Sequence, residues 1–411
     1  MEVPMKRILS LLLVLCLFLP VLSFAELEED DFSSDELEEE ILLDDEEEEE
    51  DDSTPEDTGA EPLSEDLQKE LSGSLESSDY VATELDMDNL YINENLPDDV
   101  INILLIGVDT RNAELVENDV KLADVQMILS LDTKAGTVKL SSILRDTLVT
   151  NPFTGNLKPI NESYQSFDSK KVFHDNPQRS VATVNYNFEM NIQYYVTINF
   201  RGVAAIIDEI GGIDLELTEG EAWNINRYLK KNARQISRHY DTKEAKAKRV
   251  DLEVRNGVQH LDGLQALMYA RLRKSLSKKY QMGDDWQRTA RARNLLDKLL
   301  QKVLSEKVDY FNLLSVSIDY INSNMKPDYM LKLVGEVLSS DIISKVGSSD
   351  SLIEQFRIPM GNAEDGTKTW AYDTDTGKIF MSKRNGNFQK NIDALHAFIY
   401  GDGKYYPANR E

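Results

Sequence analysis

The sequence predicts an α/β protein: an α-β-α layered domain around a central mixed β-sheet, preceded by a signal or anchor segment and a disordered acidic linker. Three observations carry that reading. Residues 101–108 form a continuous apolar run, the pattern of a strand buried on both faces. Strand-like and helix-like patterns then alternate as far as residue 217. The acid of the chain is also concentrated in one tail. Of a net charge of −29 over 411 residues, residues 26–66 carry −24 with no Lys or Arg, and the chain from Leu67 onward carries only −6.

At the start, Lys6 and Arg7 precede an apolar run over residues 8–25, broken by Pro20 and ending Ser23-Phe24-Ala25. That is the layout of an export signal, and the run is also nearly long enough for an uncleaved membrane anchor. The single cysteine, Cys16, lies inside it, so the exported part is expected to fold without disulfides. Residues 26–97 read as a self-repelling spacer that cannot bury enough apolar surface to order itself. The main domain is expected over 98–304, with 305–411 completing the same globular unit.

Within that unit, residues 125–131 and 138–143 read as strands joined by a hairpin turn through Asp132 and Gly136. A helix is expected over 181–190, a strand over 194–198, and a helix over 203–210 stopped by Gly211-Gly212. Another strand follows at 213–217. Helical patterns recur at 264–272, 295–304, 310–321 and 329–338. Short strands are expected at 355–358 and 379–382 and a last helix at 391–399.

Candidate chemistry gathers at strand ends and in one basic stretch. Asp109 and Arg111 follow the first strand, Asp124 opens the second, and Arg145-Asp146 follow the third. Functional groups collect where loops converge at strand ends in α/β sheets. Two carboxylates from separate strands, with coordination positions left for substrate oxygens, suit Mg²⁺. Residues 268–296 then bring together Arg271, Arg273, Arg288, Arg291 and Arg293. Guanidinium is permanently charged and forked, which suits the oxygens of a polyphosphate. Each feature alone also fits turn residues, surface ion pairs or a solvated basic helix face. The mildly acidic domain counts against nucleic acid as a partner.

Taken in order, the segments ILLIGVDTR (103–111), ADVQMILSLD (123–132), SSILRDTLV (141–149), KPINESY (158–164), HLDGLQALMYARLRK (260–274) and GDDWQRTARARNLL (283–296) resemble the LytR-CpsA-Psr family of bacterial envelope phosphotransferases. The similarity covers about half of the chain. It implies an exported protein at the outer face of the cytoplasmic membrane or in the cell wall. Such proteins move a glycopolymer of teichoic acid or capsular type from a polyprenyl-pyrophosphate carrier to a peptidoglycan hydroxyl, with Mg²⁺, or Mn²⁺ in its place. Carried onto this chain, the resemblance makes Asp109 and Asp124 the metal-region aspartates. Arg111, Arg145, Arg271, Arg273, Arg288 and Lys158 become the pyrophosphate-binding set. Asp285 becomes the acceptor of the hydroxyl proton, acting with Arg145 and Asp146 as the catalytic group.

The chain departs from the family pattern at Leu122 and Ala123, Leu144, Gln287 and Ala292, where the family has other residues, including an Arg and a Gln. Arg291 or Arg293 is expected to substitute in part by turning inward. A carrier-lipid hydrolase at the same site, or a non-catalytic lipid-binding regulatory protein, are the competing readings. Removal of Arg145 is expected to abolish transfer with the fold intact.

Overall fold

The computed structural model describes residues 82–108, 122–132, 134–164, 176–231, 250–272, 275–280, 291, 294–295, 298–299, 302, 320–326, 329–330, 332–333, 354–361, 368–373, 378–381, 386–401 and 406–408. The expected signal or anchor and most of the expected linker lie outside these residues. Among the described residues no helix is long and apolar enough to cross a membrane.

In chain order the strands are β1 (Val100–Val108), β2 (Ala123–Asp132), β3 (Thr137–Ile143), β4 (Leu148–Thr150), β5 (Leu157–Pro159) and β6 (Tyr194–Asn199). They continue as β7 (Ile213–Leu217), β8 (Gly257–Leu261), β9 (Ile321–Ser323), β10 (Glu354–Ile358), β11 (Ala371–Asp373) and β12 (Lys378–Phe380). The described helices are α1 (Asn176–Phe188), α2 (Phe200–Glu209), α3 (Glu219–Lys231), α4 (Gly263–Arg271) and α5 (Asn387–Tyr400).

Six strands form the central sheet in the order β10-β3-β2-β1-β6-β9. β1 runs parallel to β6 and β3 parallel to β10, while β2 and β9 run antiparallel to their neighbours, so the sheet is mixed as expected. The hairpin between β2 and β3 closes as its sequence predicts: Asp132 Oδ1 accepts from the backbone N–H groups of Lys134 at 3.0 Å and Ala135 at 2.7 Å. Gly136 there takes φ of +64°, a conformation that costs glycine nothing.

Period-two alternation explains the three layers. Leu104, Ile106 and Val108 of β1 pack with Val181, Val184 and Phe188 of α1 and with Phe388, Ile392, Leu395 and Ile399 of α5. Ile103 and Leu105 project to the opposite face and are equally buried. On that face Gly202 of α2 lies against the Ile198 side chain, and α4 packs on α2. Gly263, the first residue of α4, comes so close to α2 that an added Cβ would stand 2.0 Å from the Ala204 carbonyl oxygen. Its N–H donates to Asp208 Oδ1 at 2.6 Å. The helix is started by a capping box in which Asp262 and Gln265 satisfy each other's backbone N–H groups.

Several elements depart from expectation. The folded unit begins before residue 98, because Leu90, Asn93 and Leu96 are buried. Asn185 secures this segment by donating to the carbonyl of Leu90 at 2.9 Å. β7 forms but pairs with β8 as a separate two-stranded ribbon outside the central sheet. α1 starts five residues before the apolar pattern and ends at Phe188, where Glu189 takes φ of +53°. Ile321, expected at the end of a helix, opens β9. The strand expected at 355–358, by contrast, does form and joins the main sheet as β10, and Ile358, Met381 and Phe388 share one core with the rest.

His396 of α5 is buried: its Nε2 donates to the Phe188 carbonyl at 3.0 Å and its Nδ1 accepts from the Tyr406 N–H at 3.4 Å. Burial pushes the imidazole below its usual range, opposed by the Phe188 hydrogen bond and by Glu189 and Asp393. The unfolded chain therefore binds the proton more readily, and the contribution to stability is complete above about pH 6.5 and lost as pH falls below it. In urea titrations at pH 7.5 and 5.5, His396→Gln is expected to lose less stability on acidification than the parent. An equal loss in both proteins contradicts this assignment.

Candidate phosphate-binding site at one end of the sheet

The strand directions bring the C-terminal ends of β1, β3, β6 and β10 and the N-terminal end of β2 to the same end of the sheet. Asp124 and Arg145 meet there. The pairing of β1 with β2 shifts between Gly107 and Val108: Gly107 faces Val125 and Val108 faces Ala123. Asp124 is thus the extra residue of a β-bulge, a device that re-aims a side chain at the end of a ladder. It is 3% exposed. A carboxylate held so far from water needs a cation, and Arg145 Nη1 supplies one at 3.1 Å from Asp124 Oδ1.

Arg145 is held from several directions. Its Nε lies 3.4 Å from Asp146 Oδ2, and Lys378 Nζ lies 3.3 Å from the other oxygen of Asp146. The backbone is fixed as well: the Leu144 N–H donates to the Ile358 carbonyl at 2.8 Å, the Asn161 N–H to the Arg145 carbonyl at 3.2 Å, and the Ile379 N–H to the Asp146 carbonyl at 3.0 Å. The Arg145-Asp146 turn is therefore gripped by β10, by the 3-10 turn Ile160–Tyr164 and by β12. The result is a pre-set guanidinium in a carboxylate frame, suited to receive a phosphate without reorganising.

Of the other expected site residues, Lys158 lies on β5, is about half exposed, and pairs with Glu162 Oε2 at 3.2 Å. Arg271 is the last residue of α4, at the helix end that favours a cation. Asp109, Arg111, Arg273, Asp285 and Arg288 lie outside the described residues. Arg291 turns inward as expected, but onto protein: Nη1 lies 3.4 Å from Glu221 Oε1, and Nη2 donates to the Leu272 carbonyl. Arg293, expected to share that role, lies outside the described residues. The brace from Lys378 was absent from the sequence reading, since a lysine beginning a three-residue strand carries no distinguishing pattern. The apolar stretches 203–210 and 264–268 supply Val203, Ile206, Ile207, Leu264 and Leu267 to the buried core.

A family model described as the LytR_cpsA_psr family matches residues 68–385. The chain belongs to this family. Biofilm regulatory protein A of Streptococcus mutans is 26% identical over 61% of this chain and 54% of its own length. The polyisoprenyl-teichoic acid–peptidoglycan teichoic acid transferase TagU of Oceanobacillus iheyensis is 27% identical over 56% of this chain and 59% of its own length. The chain thus spans little more than half of these relatives. A solved structure of TagT bound to LI-WTA shares the fold with a TM-score of 0.50 and 17% identity, covering 77% of this chain and 99% of that one. The mixed α/β architecture is therefore shared with that structure.

Proposed function

We propose that this LytR_cpsA_psr protein is a Mg²⁺-dependent phosphotransferase. It moves a glycopolymer of teichoic acid or capsular type from a polyprenyl-pyrophosphate carrier to peptidoglycan at the outer face of the membrane. The observation that carries the reading is Arg145, fixed between the buried Asp124 and Asp146 at the end of the sheet where the family-matched loops begin. The transferase activity for which relatives such as TagU are named supports the same reaction class.

In this reading the pyrophosphate lies against Arg145, with Arg271, Lys158, Arg111, Arg273 and Arg288 adding charge. The acceptor hydroxyl oxygen attacks the phosphorus that bears the glycan, and the bridging P–O bond to the carrier breaks. Polyprenyl monophosphate leaves, the hydroxyl proton passes to the Asp285 carboxylate, and the glycan is joined through one phosphate. Arg145 spreads the developing charge over the phosphoryl oxygens, and its fixed frame makes it available without moving.

Among the described residues no group of three His, Cys, Asp or Glu side chains forms a cation cage. Mg²⁺ commonly uses one or two carboxylates and takes its remaining ligands from water and substrate phosphate. Asp124 and Asp109 would hold it, and it would neutralise phosphate charge. Chelation by EDTA is expected to lower turnover at least a hundredfold, with activity returning on added Mg²⁺; undiminished turnover in EDTA removes the metal from the account.

Phosphorus NMR of the full chain with a polyprenyl-pyrophosphate oligosaccharide tests the reaction class. Release of polyprenyl monophosphate is expected only when peptidoglycan fragments are present. Equal release without them overturns the transferase in favour of a hydrolase.

A further inference from the structure

Arg291 is a charged side chain buried to 4% exposure, and its contacts lead to the end of α4, where Arg271 stands. Its Nη2 donates to the carbonyl of Leu272, the residue between Arg271 and Arg273. Leu272 caps α4: its N–H donates to the Tyr269 carbonyl at 3.4 Å, and its side chain is 2% exposed. A carbonyl past the end of a helix has no intrahelical partner, and here it receives a guanidinium. Because Leu272 directly follows Arg271, fixing this carbonyl fixes the end of α4 on which Arg271 stands.

Arg291 is itself aimed. Glu221 Oε1 lies 3.4 Å from its Nη1, while the other Glu221 oxygen accepts from the backbone N–H and the hydroxyl of Thr218, both at 3.0 Å. The Thr218 hydroxyl in turn accepts from the Glu221 N–H at 3.2 Å. This closes a capping arrangement at the start of α3. One carboxylate thus starts α3 and orients Arg291. Asn294, three residues further on, donates to the Tyr269 hydroxyl at 3.1 Å. Burial pushes that hydroxyl up to about 12.

The segment after Arg273 is gripped from α3 as well. Asn224 Oδ1 accepts from the Leu276 N–H at 2.8 Å, its Nδ2 donates to the Tyr280 carbonyl at 3.1 Å, and Trp223 stacks on Tyr280 with ring centroids 5.0 Å apart.

We propose that Arg291, oriented by Glu221, is a positioning residue: it sets the C-terminal end of α4, Arg271-Leu272, at the geometry that binds pyrophosphate. The inference rests on the pyrophosphate role given above to Arg271.

The test uses the full chain with a short, soluble polyprenyl pyrophosphate as probe, read by calorimetry, and with transfer kinetics in parallel. Arg291→Met removes the donor, and the double variant Arg291→Met/Glu221→Gln also removes the carboxylate that would be left unpaired. Thermal unfolding shows that each variant is folded. Both variants are expected to bind the probe about tenfold more weakly and to raise KM for the carrier substrate, with Arg291→Lys recovering part of the loss. A merely structural role lowers the unfolding midpoint and the active fraction but leaves the affinity of the folded protein at the parent value, and that result overturns the proposal. Arg271→Ala separates the two levels. If it weakens probe binding while the folded Arg291 variants do not, only the positioning role fails. If it too binds at parent strength, the pyrophosphate reading fails and this inference with it.

Discussion

Arg145→Lys is expected to lower transfer about a hundredfold and Arg145→Ala about a thousandfold, in steady-state assays of full-length protein against saturating carrier substrate. Lysine keeps the charge beside Asp124 but loses the fork that holds Asp124 and Asp146 together and meets phosphate through parallel N–H groups. A hundredfold loss corresponds to about 2.7 kcal/mol of transition-state stabilisation, reasonable for one charge-assisted contact pair. The sequence alone suggests that Arg145→Ala leaves the fold untouched. The 3.1 Å pair with a carboxylate that is 3% exposed says otherwise. Removing the cation strands Asp124 in the interior, so about 3 kcal/mol of stability should go with it. The lysine variant therefore reports chemistry and the alanine variant reports chemistry and folding together. Parent activity in Arg145→Lys would mean that the fork plays no part.

Gly263→Ala should be among the most damaging single-methyl additions to the domain, costing about 3 kcal/mol and about 10 °C in thermal midpoint. Alanine is the better helix former, so local propensity points the other way. The obstacle is space: the new Cβ would meet the carbonyl oxygen of Ala204 at 2.0 Å and its Cα at 2.9 Å, atoms of a backbone that cannot swing aside. Helix α4 would have to lift from α2, displacing Arg271 at its far end. Gly211→Ala is the useful contrast. It has φ of +79° but nothing within 4 Å of an added Cβ, so it should cost only about 1 kcal/mol of backbone strain. Differential scanning calorimetry of the two variants checks the ranking; equal midpoints would mean that α2 and α4 do not meet as described.

The elements that could be read from the sequence are those whose cause is local. β1 is buried on both faces and so appears as an unbroken apolar run, and the β2–β3 turn declares itself through Asp132 and Gly136. What escaped depends on distant partners. β8 pairs with β7 across an intervening helix, and only the pairing distinguishes its mixed sequence GVQHL from a loop. α3 was missed because EGEAWNINRYLKK is dominated by polar residues and buries only Gly220, Ala222, Asn224 and Ile225. β9 is three residues long and exists through its hydrogen bonds to β6.

The site divides in the same way. That Asp124 and Arg145 lie at strand ends could be read from the chain, because apolar runs end where they stand. That Asp124 is the bulged residue, that Lys378 braces Asp146, and that Arg291 reaches the Leu272 carbonyl all depend on register or on contacts between residues far apart in sequence. Arg291 turns inward as its sequence context suggests, and the partners it meets are Glu221 and Leu272. An inward arginine in a basic segment suits phosphate or protein equally well until Glu221 is seen beside it.

The most direct measurement is mass analysis of peptidoglycan fragments after incubation of the full chain with Mg²⁺ and a synthetic polyprenyl-pyrophosphate oligosaccharide. The account predicts a fragment enlarged by the glycan and a single phosphate, with the product reduced about a hundredfold in Arg145→Lys. Fragments of unchanged mass alongside parent-strength carrier binding would contradict it, leaving a protein that holds the lipid-linked glycan without transferring it.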